Sequence, residues 1–79
     1  MKKKKFKAGQ AIVYEPKWFK TKVKGAKYSP KSPIAYGDVV HFLAEHTPAI
    51  GHCIVTHYDG RIVTMLHPED FRAATDDEV

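Results

Sequence analysis

The dipeptide Asp59-Gly60 separates two runs of strand-forming residues and is the clearest local signal in the chain. Asp-Gly in this setting is typical of a two-residue type I′ hairpin turn, because both central residues of that turn need a positive φ. The sequence therefore predicts strands at residues 50–58 and 61–66, joined by this turn. A hairpin of this kind commits the second half of the chain to β structure.

The two-residue turn also predicts the register of the hairpin. Tyr58 is expected opposite Arg61, and pairing continues residue by residue from there, with alternate side chains on opposite faces. One face is predicted to join the core and holds Cys53, Val55, Ile62 and Leu66. The other face is predicted to point outward as an apolar strip and carries Ile54, Tyr58, Val63 and Met65.

Two earlier segments share a six-residue pattern of glycine, Gln or Asp, any residue, Ile or Val, any residue, and Tyr or Phe. The pattern spans residues 9–14 and 37–42. Glycine supplies a backbone angle that other residues avoid, and alternate apolar side chains face inward. We expect strands at residues 6–14 and 39–45, with the core side chains Ile12, Tyr14, Val40 and Phe42. A single helical turn is predicted at residues 68–71, with Phe71 returning to the core.

This order of elements resembles an SH3-like small barrel. The residues that carry the resemblance lie at 9–14, 37–40, 59–60 and 68–71. It implies a mostly β fold in a single domain at residues 6–74, with about five strands, a long first loop and a one-turn helix before the last strand. Such barrels host RNA-binding, chromatin-binding, ribosomal and peptide-binding functions, so the fold alone does not choose among them.

Peptide-binding SH3 domains carry an acidic long loop and a Trp-Trp pair at the start of the third strand. Here the loop is basic, and residues 50–52 (Ile-Gly-His) stand where that pair would be. The resemblance therefore does not extend to binding of proline-rich peptides.

Composition limits the setting in which the chain works. Its 79 residues suit one domain, and a single cysteine, Cys53, excludes an internal disulfide. A reducing, cytoplasmic location is expected. No apolar run approaches the roughly 18 residues of a membrane span, so no membrane partner is expected.

Charge is divided sharply along the chain. Residues 1–31 hold eleven lysines and one acid, Glu15, whereas residues 32–79 hold two arginines and eight acids. Residues 1–5 are predicted to be a disordered basic tail, and residues 75–79 an acidic tail that frays. A basic half attracts polyanions or an acidic protein surface.

The long loop combines lysines with aromatic residues, which is what a nucleic-acid groove requires. Lysines contact phosphates without reading sequence, and exposed aromatic rings stack on bases. The sequence therefore predicts a nucleic-acid-binding module whose candidate contacts are Lys17, Trp18, Phe19, Lys20, Lys22, Lys24, Lys27, Tyr28 and Lys31. The competing structural interpretation is that Trp18 and Phe19 cover one end of the barrel while the lysines point to water.

The alternative function is a protein–protein interaction module, such as a small regulator or inhibitor from a mobile element. It would dock a partner, or a second copy of the chain as a homodimer, through the apolar strip. In a competing interpretation, the long loop folds over that strip.

Catalysis, cofactors and metals are not expected. Cys53 is predicted to be buried, and no Ser-His-Asp order, phosphate-binding loop or pair of carboxylates stands out. The five histidines lack the spacing of a metal site, and only His52 and His67 are predicted to be neighbours on adjacent strands.

Overall fold

The protein forms one antiparallel sheet of five strands in the order β4-β3-β2-β1-β5. The computed structural model describes residues 6–27, 29–46 and 53–79, apart from the side chain of Met65. The strands are β1 (Ala11–Tyr14), β2 (Val39–His46), β3 (Cys53–Tyr58), β4 (Arg61–Leu66) and β5 (Phe71–Ala73). A 3₁₀ turn at Pro68–Asp70 precedes β5. The predicted mostly β fold is therefore confirmed, and within the described residues the sheet stays open.

The repeated six-residue pattern forms the centre of the sheet. Gly9 and Gly37 have φ values of 84° and 85°, as expected of the glycine that opens each strand. The two strands pair with each other, and Ile12 lies opposite Val40. All four predicted core side chains of these strands are buried. The first strand is shorter than predicted, because β1 begins only at Ala11.

The hairpin turn has the predicted conformation. Asp59 and Gly60 have φ values of 52° and 76°, and Tyr58 lies opposite Arg61. The predicted register holds as far as the pair Thr56 and Val63. Beyond that pair it is wrong, because a bulge at residues 64–65 adds a residue to β4.

The bulge changes the partners of the far end of the hairpin. Ile54 lies opposite Leu66, where an unbroken register would place Met65. A second irregularity lies between Phe42 and Ala44 on β2, where one extra residue faces β3. Bulges of this kind strengthen the local twist of a sheet and redirect side chains.

The predicted faces of the hairpin are wrong for Ile54, Val63 and Ile62. Ile54 and Val63 were expected to point outward, but they are only 1% and 8% exposed, whereas Ile62, expected in the core, is 66% exposed. The buried face includes Thr56, whose hydroxyl donates to the carbonyl of Val63 at 3.4 Å. That hydrogen bond lets a polar side chain enter the core, which the apolar pattern alone does not predict.

The other predicted core residues of the hairpin differ in burial. Cys53 is buried, and Val55 and Leu66 are half-buried. Phe71 follows the 3₁₀ turn into the core, as expected. The main cluster of buried side chains draws on four strands and the long loop and consists of Ile12, Tyr14, Phe19, Ile34, Val40, Phe42, Ile54 and Phe71.

The acidic C-terminal segment, which was predicted to fray, contacts the sheet through Glu78. Glu78 accepts two hydrogen bonds from the guanidinium of Arg72 on β5, both at 2.7 Å. The same guanidinium pairs with Glu15 at 2.8 Å. One arginine therefore fastens both the tail and the start of the long loop to the sheet edge. The predicted basic tail at residues 1–5 and the part of strand three at residues 50–52 lie outside the described residues.

The hairpin turn yields a stability prediction. Gly60→Val should lower the free energy of unfolding by about 1–3 kcal/mol, because a β-branched residue is strained at positive φ. An added Cβ would meet no atom within 4 Å, so the cost is in the backbone alone. Gly60→Asn is the matched control and should cost less, since Asn tolerates this conformation. Equal losses in denaturant unfolding would contradict the strain argument.

The tail yields a pH prediction. Hydrogen bonds from Arg72, and then from the backbone of Thr75, lower the pKa of Glu78 to about 2 from 4.5. Because the folded-state pKa is the lower one, the ionised carboxylate stabilises the fold above about pH 4.5, and this contribution is lost as the pH falls towards 2. A carboxyl NMR titration should show the low pKa, and Arg72→Gln should return it towards 4.5. A wild-type pKa near 4.5 would contradict the contact.

Candidate nucleic-acid interface

The long loop between β1 and β2 is tied to the sheet by a buried aromatic residue. Phe19 is 7% exposed, and its ring centroid lies 5.9 Å from that of Tyr14 and 5.8 Å from that of Tyr36. Its backbone N–H donates to the carbonyl of Pro16 at 3.3 Å, which closes a tight turn. Pro16 is also buried. Phe19 therefore belongs to the core and offers no free face to a base.

Trp18, the preceding residue, lies at the surface. The residue is 54% exposed, and its ring contacts Phe19 edge-on, with ring centroids 4.7 Å apart. The indole N–H donates to the Asp70 carboxylate at 3.2 Å. Asp70 ends the 3₁₀ turn, and its backbone carbonyl accepts a hydrogen bond from the Glu15 N–H at 2.7 Å. The turn before β5 therefore holds both the indole and the start of the loop.

The second half of the loop is closed by backbone hydrogen bonds. The Gly25 N–H donates to the Tyr36 carbonyl at 2.8 Å, and the Tyr36 N–H donates to the Ala26 carbonyl at 2.7 Å. At the end of the loop the Asp38 carboxylate accepts from the Ala35 N–H at 2.8 Å. These contacts bring residues 25–26 back beside the sheet, next to the turn that carries Trp18.

An open groove of about 550 Å³ lies between the two halves of the loop. Its lining includes the exposed indole, two lysines from opposite sides of the loop and the buried Phe19 ring. The six lining residues are Trp18, Phe19, Lys20, Thr21, Ala26 and Lys27. Four of them were candidate contacts from the sequence. Thr21 and Ala26 were not, since neither is basic or aromatic and only the folding of the loop places them there.

The remaining loop candidates are not part of the lining that the structure describes. The side chains of Lys17, Lys22, Lys24 and Lys31 are exposed but do not line it. Lys24 has a packing role as well: a Cβ added to Gly37 would lie 3.0 Å from its Cγ. Tyr28 lies outside the described residues.

Burial also raises one pKa beneath the groove. Tyr14 lies under Phe19 in the core cluster, and its hydroxyl has a raised pKa, chiefly because burial disfavours the charged phenolate and secondarily because Asp70 is nearby. Tyr14 is therefore a neutral part of the core and adds no charge to the groove.

The residues proposed for an apolar protein interface do not form an outward strip. Ile54 and Val63 are buried, and the Met65 side chain lies outside the described part of the structure. Tyr58 is half-buried and hydrogen-bonds Asp38, which is the main reason its pKa is raised. The sequence pattern could not distinguish the two faces, because both carry apolar residues.

A second groove of about 550 Å³ lies at the hairpin turn and is lined by Val39, His41, His57, Tyr58, Asp59 and Gly60. Volume does not distinguish it from the loop groove, but its lining holds an acid and lacks a lysine. His41 and His57 lie directly opposite each other on β2 and β3, and both are exposed. Across the described residues, no three His, Cys, Asp or Glu side chains form a metal-binding group. The predicted pairing of His52 with His67 cannot be placed, since His52 is not described.

Cys53 has a strand neighbour that the sequence did not predict. It pairs with His46 across β2 and β3, but it is only 1% exposed, which closes the thiol to substrates. The β2 bulge shifts the register and produces this pairing, so it could not be derived from spacing.

Comparison with protein-family models, curated proteins and solved structures finds no match to this chain. Among the described residues, no helix is long and apolar enough to cross a membrane.

The neighbouring aromatics yield a matched prediction. Phe19→Ala should lower the free energy of unfolding by about 3–5 kcal/mol, because it empties a buried site in the core. Trp18→Ala, one residue away, should cost less, about 1–2 kcal/mol, since the residue is half-exposed. Denaturant unfolding of both variants measures the difference. A loss for Trp18→Ala as large as that for Phe19→Ala would assign the indole to the core.

Proposed function

We propose that this chain is a non-enzymatic module that binds nucleic acid through the long loop. The observation that carries the proposal is the groove in which a half-exposed indole and two lysines meet. Lysines supply attraction to phosphates, and an indole supplies a surface for a base. A bare basic patch would provide only the first of these.

We also propose that the fold is an SH3-like small barrel. Three features support this: the strand order β4-β3-β2-β1-β5, the long loop between β1 and β2, and the 3₁₀ turn before the last strand. The proposal accounts for the position of the groove, because the long first loop and the turn before β5 lie side by side when β5 pairs with β1.

An acidic protein surface is the competing partner, since the lysines would attract it as well. The burial of Ile54 and Val63 removes the apolar strip on which a protein interface was first based. The exposed indole favours nucleic acid, because an aromatic face beside lysines satisfies both the bases and the phosphates of one ligand.

The lysines yield a test with a matched control. Lys20→Glu with Lys27→Glu reverses both lysines of the groove, whereas Lys17→Glu with Lys31→Glu makes the same charge change outside it. Fluorescence anisotropy of labelled DNA and RNA between about 50 and 200 mM salt gives affinity and its salt slope. The groove variant should lose about one unit of slope for each phosphate contact removed, and the control should lose less.

Two outcomes would count against the proposal. A wild-type protein that binds neither DNA nor RNA at about 50 mM salt would remove nucleic acid as the ligand, because electrostatic attraction is strongest there. Equal losses in the two double variants would place the contacts outside the groove. Circular dichroism of each variant should show that the sheet is intact.

A further inference from the structure

The indole of Trp18 is held in place before any ligand arrives. It is anchored by the hydrogen bond to the Asp70 carboxylate and by the contact with the Phe19 ring, and the residue is still 54% exposed to solvent. The ring is thus fixed by the core and by a residue 52 positions away in the sequence. A fixed aromatic surface binds with a smaller loss of side-chain entropy than a mobile one.

A base can stack on the indole only if one face of the base is free. Inside a double helix both faces of a base are covered by its neighbours, whereas single strands and unpaired loops can turn a base outward. The groove, at about 550 Å³, lies within the range of roughly 300–1,000 Å³ typical of small-ligand pockets. It therefore has room for an unpaired nucleotide.

Acidic groups lie beside the N–H edge of the indole, and basic groups line the groove. The Asp70 carboxylate lies at its N–H edge, with the exposed Glu69 next to it in the 3₁₀ turn, whereas Lys20 and Lys27 line the groove. Phosphates are repelled from the acidic edge and attracted to the lysines. A base over the indole would thus have its flanking phosphates on the lysine side.

We propose that the groove binds single-stranded nucleic acid, with one unpaired base stacked on the Trp18 indole and neighbouring phosphates on Lys20 and Lys27. The inference rests on the proposed nucleic-acid function and specifies its ligand. It also separates the roles of the groove: the lysines attract any nucleic acid, and the indole discriminates between single strands and duplex.

The chain offers a direct readout, because Trp18 is its only tryptophan. A single strand of about 12 nucleotides, as DNA and as RNA, should be titrated into the protein at about 50 mM salt beside the matched duplex. Tryptophan emission reports stacking, and the anisotropy of a labelled strand reports binding. We expect the single strand to bind more tightly and to quench the emission, and the duplex to leave the emission unchanged.

Substitution of the ring tests the same point without the fluorescence. Trp18→Ala should weaken single-strand binding by roughly 5- to 150-fold, the range expected for loss of one stacked base, and change duplex affinity by less than about twofold. Trp18→Phe keeps an aromatic face and should retain most of the single-strand affinity. A thermal melt of each variant checks that the loop remains on the sheet.

The outcomes distinguish a failure of base stacking on Trp18 from a failure of the proposed nucleic-acid binding. Equal binding of single strand and duplex, with unquenched emission, would overturn stacking on Trp18 and leave a basic surface that binds nucleic acid through phosphates. Binding of neither ligand by the wild-type protein would overturn the proposed function itself. A single-strand preference that survives in Trp18→Ala would also overturn the inference.

Discussion

The burial of Phe19 is the interaction on which the candidate interface depends. Ordering a loop costs about 1–2 kcal/mol of backbone entropy for each residue, so a long loop keeps one shape only if some of its side chains are buried. Phe19 meets this need by packing between Tyr14 and Tyr36, and Pro16 and Ile34 are buried with it. The loop is therefore a continuation of the core, and the position of its exposed residues is set by the sheet.

The contrast between Trp18 and Phe19 follows from this anchoring. The tight turn from Pro16 directs Phe19 inward, and the adjacent Trp18 is left at the surface, where it contacts the edge of the buried ring. Its N–H finds a carboxylate on the 3₁₀ turn, so the polar atom of the indole is satisfied while part of its apolar ring stays exposed. A stable core and an exposed aromatic surface are thus produced by two consecutive residues.

The sequence predicted local features well and distant ones poorly. The Asp59-Gly60 turn, the two glycine-led strands and the return of Phe71 to the core depend on neighbouring residues, and all are confirmed. The hairpin faces were predicted wrongly because Ile54 and Val55 have similar hydrophobicity, so alternation alone could not choose between them.

The bulge on β4 and the contact between Trp18 and Asp70 left no pattern in the sequence. A bulge is coupled to the twist of the sheet, which involves several strands. The Trp18–Asp70 contact joins residues 52 positions apart. For the candidate site, residue type identified Trp18, Lys20 and Lys27, but only the closed loop could show that these three meet in one groove.

The ion pairs at the sheet edge bear on the charge of the loop. Glu15 is the only acid among the first 31 residues, and it stands at the start of the lysine-rich segment. Its carboxylate pairs with Arg72 at 2.8 Å, and that arginine also binds Glu78. Arg72 therefore places a positive charge beside the acid that begins the lysine-rich segment. An arginine that anchors the sheet edge therefore also offsets negative charge at the start of the loop, and under the proposed function this would favour the approach of phosphates.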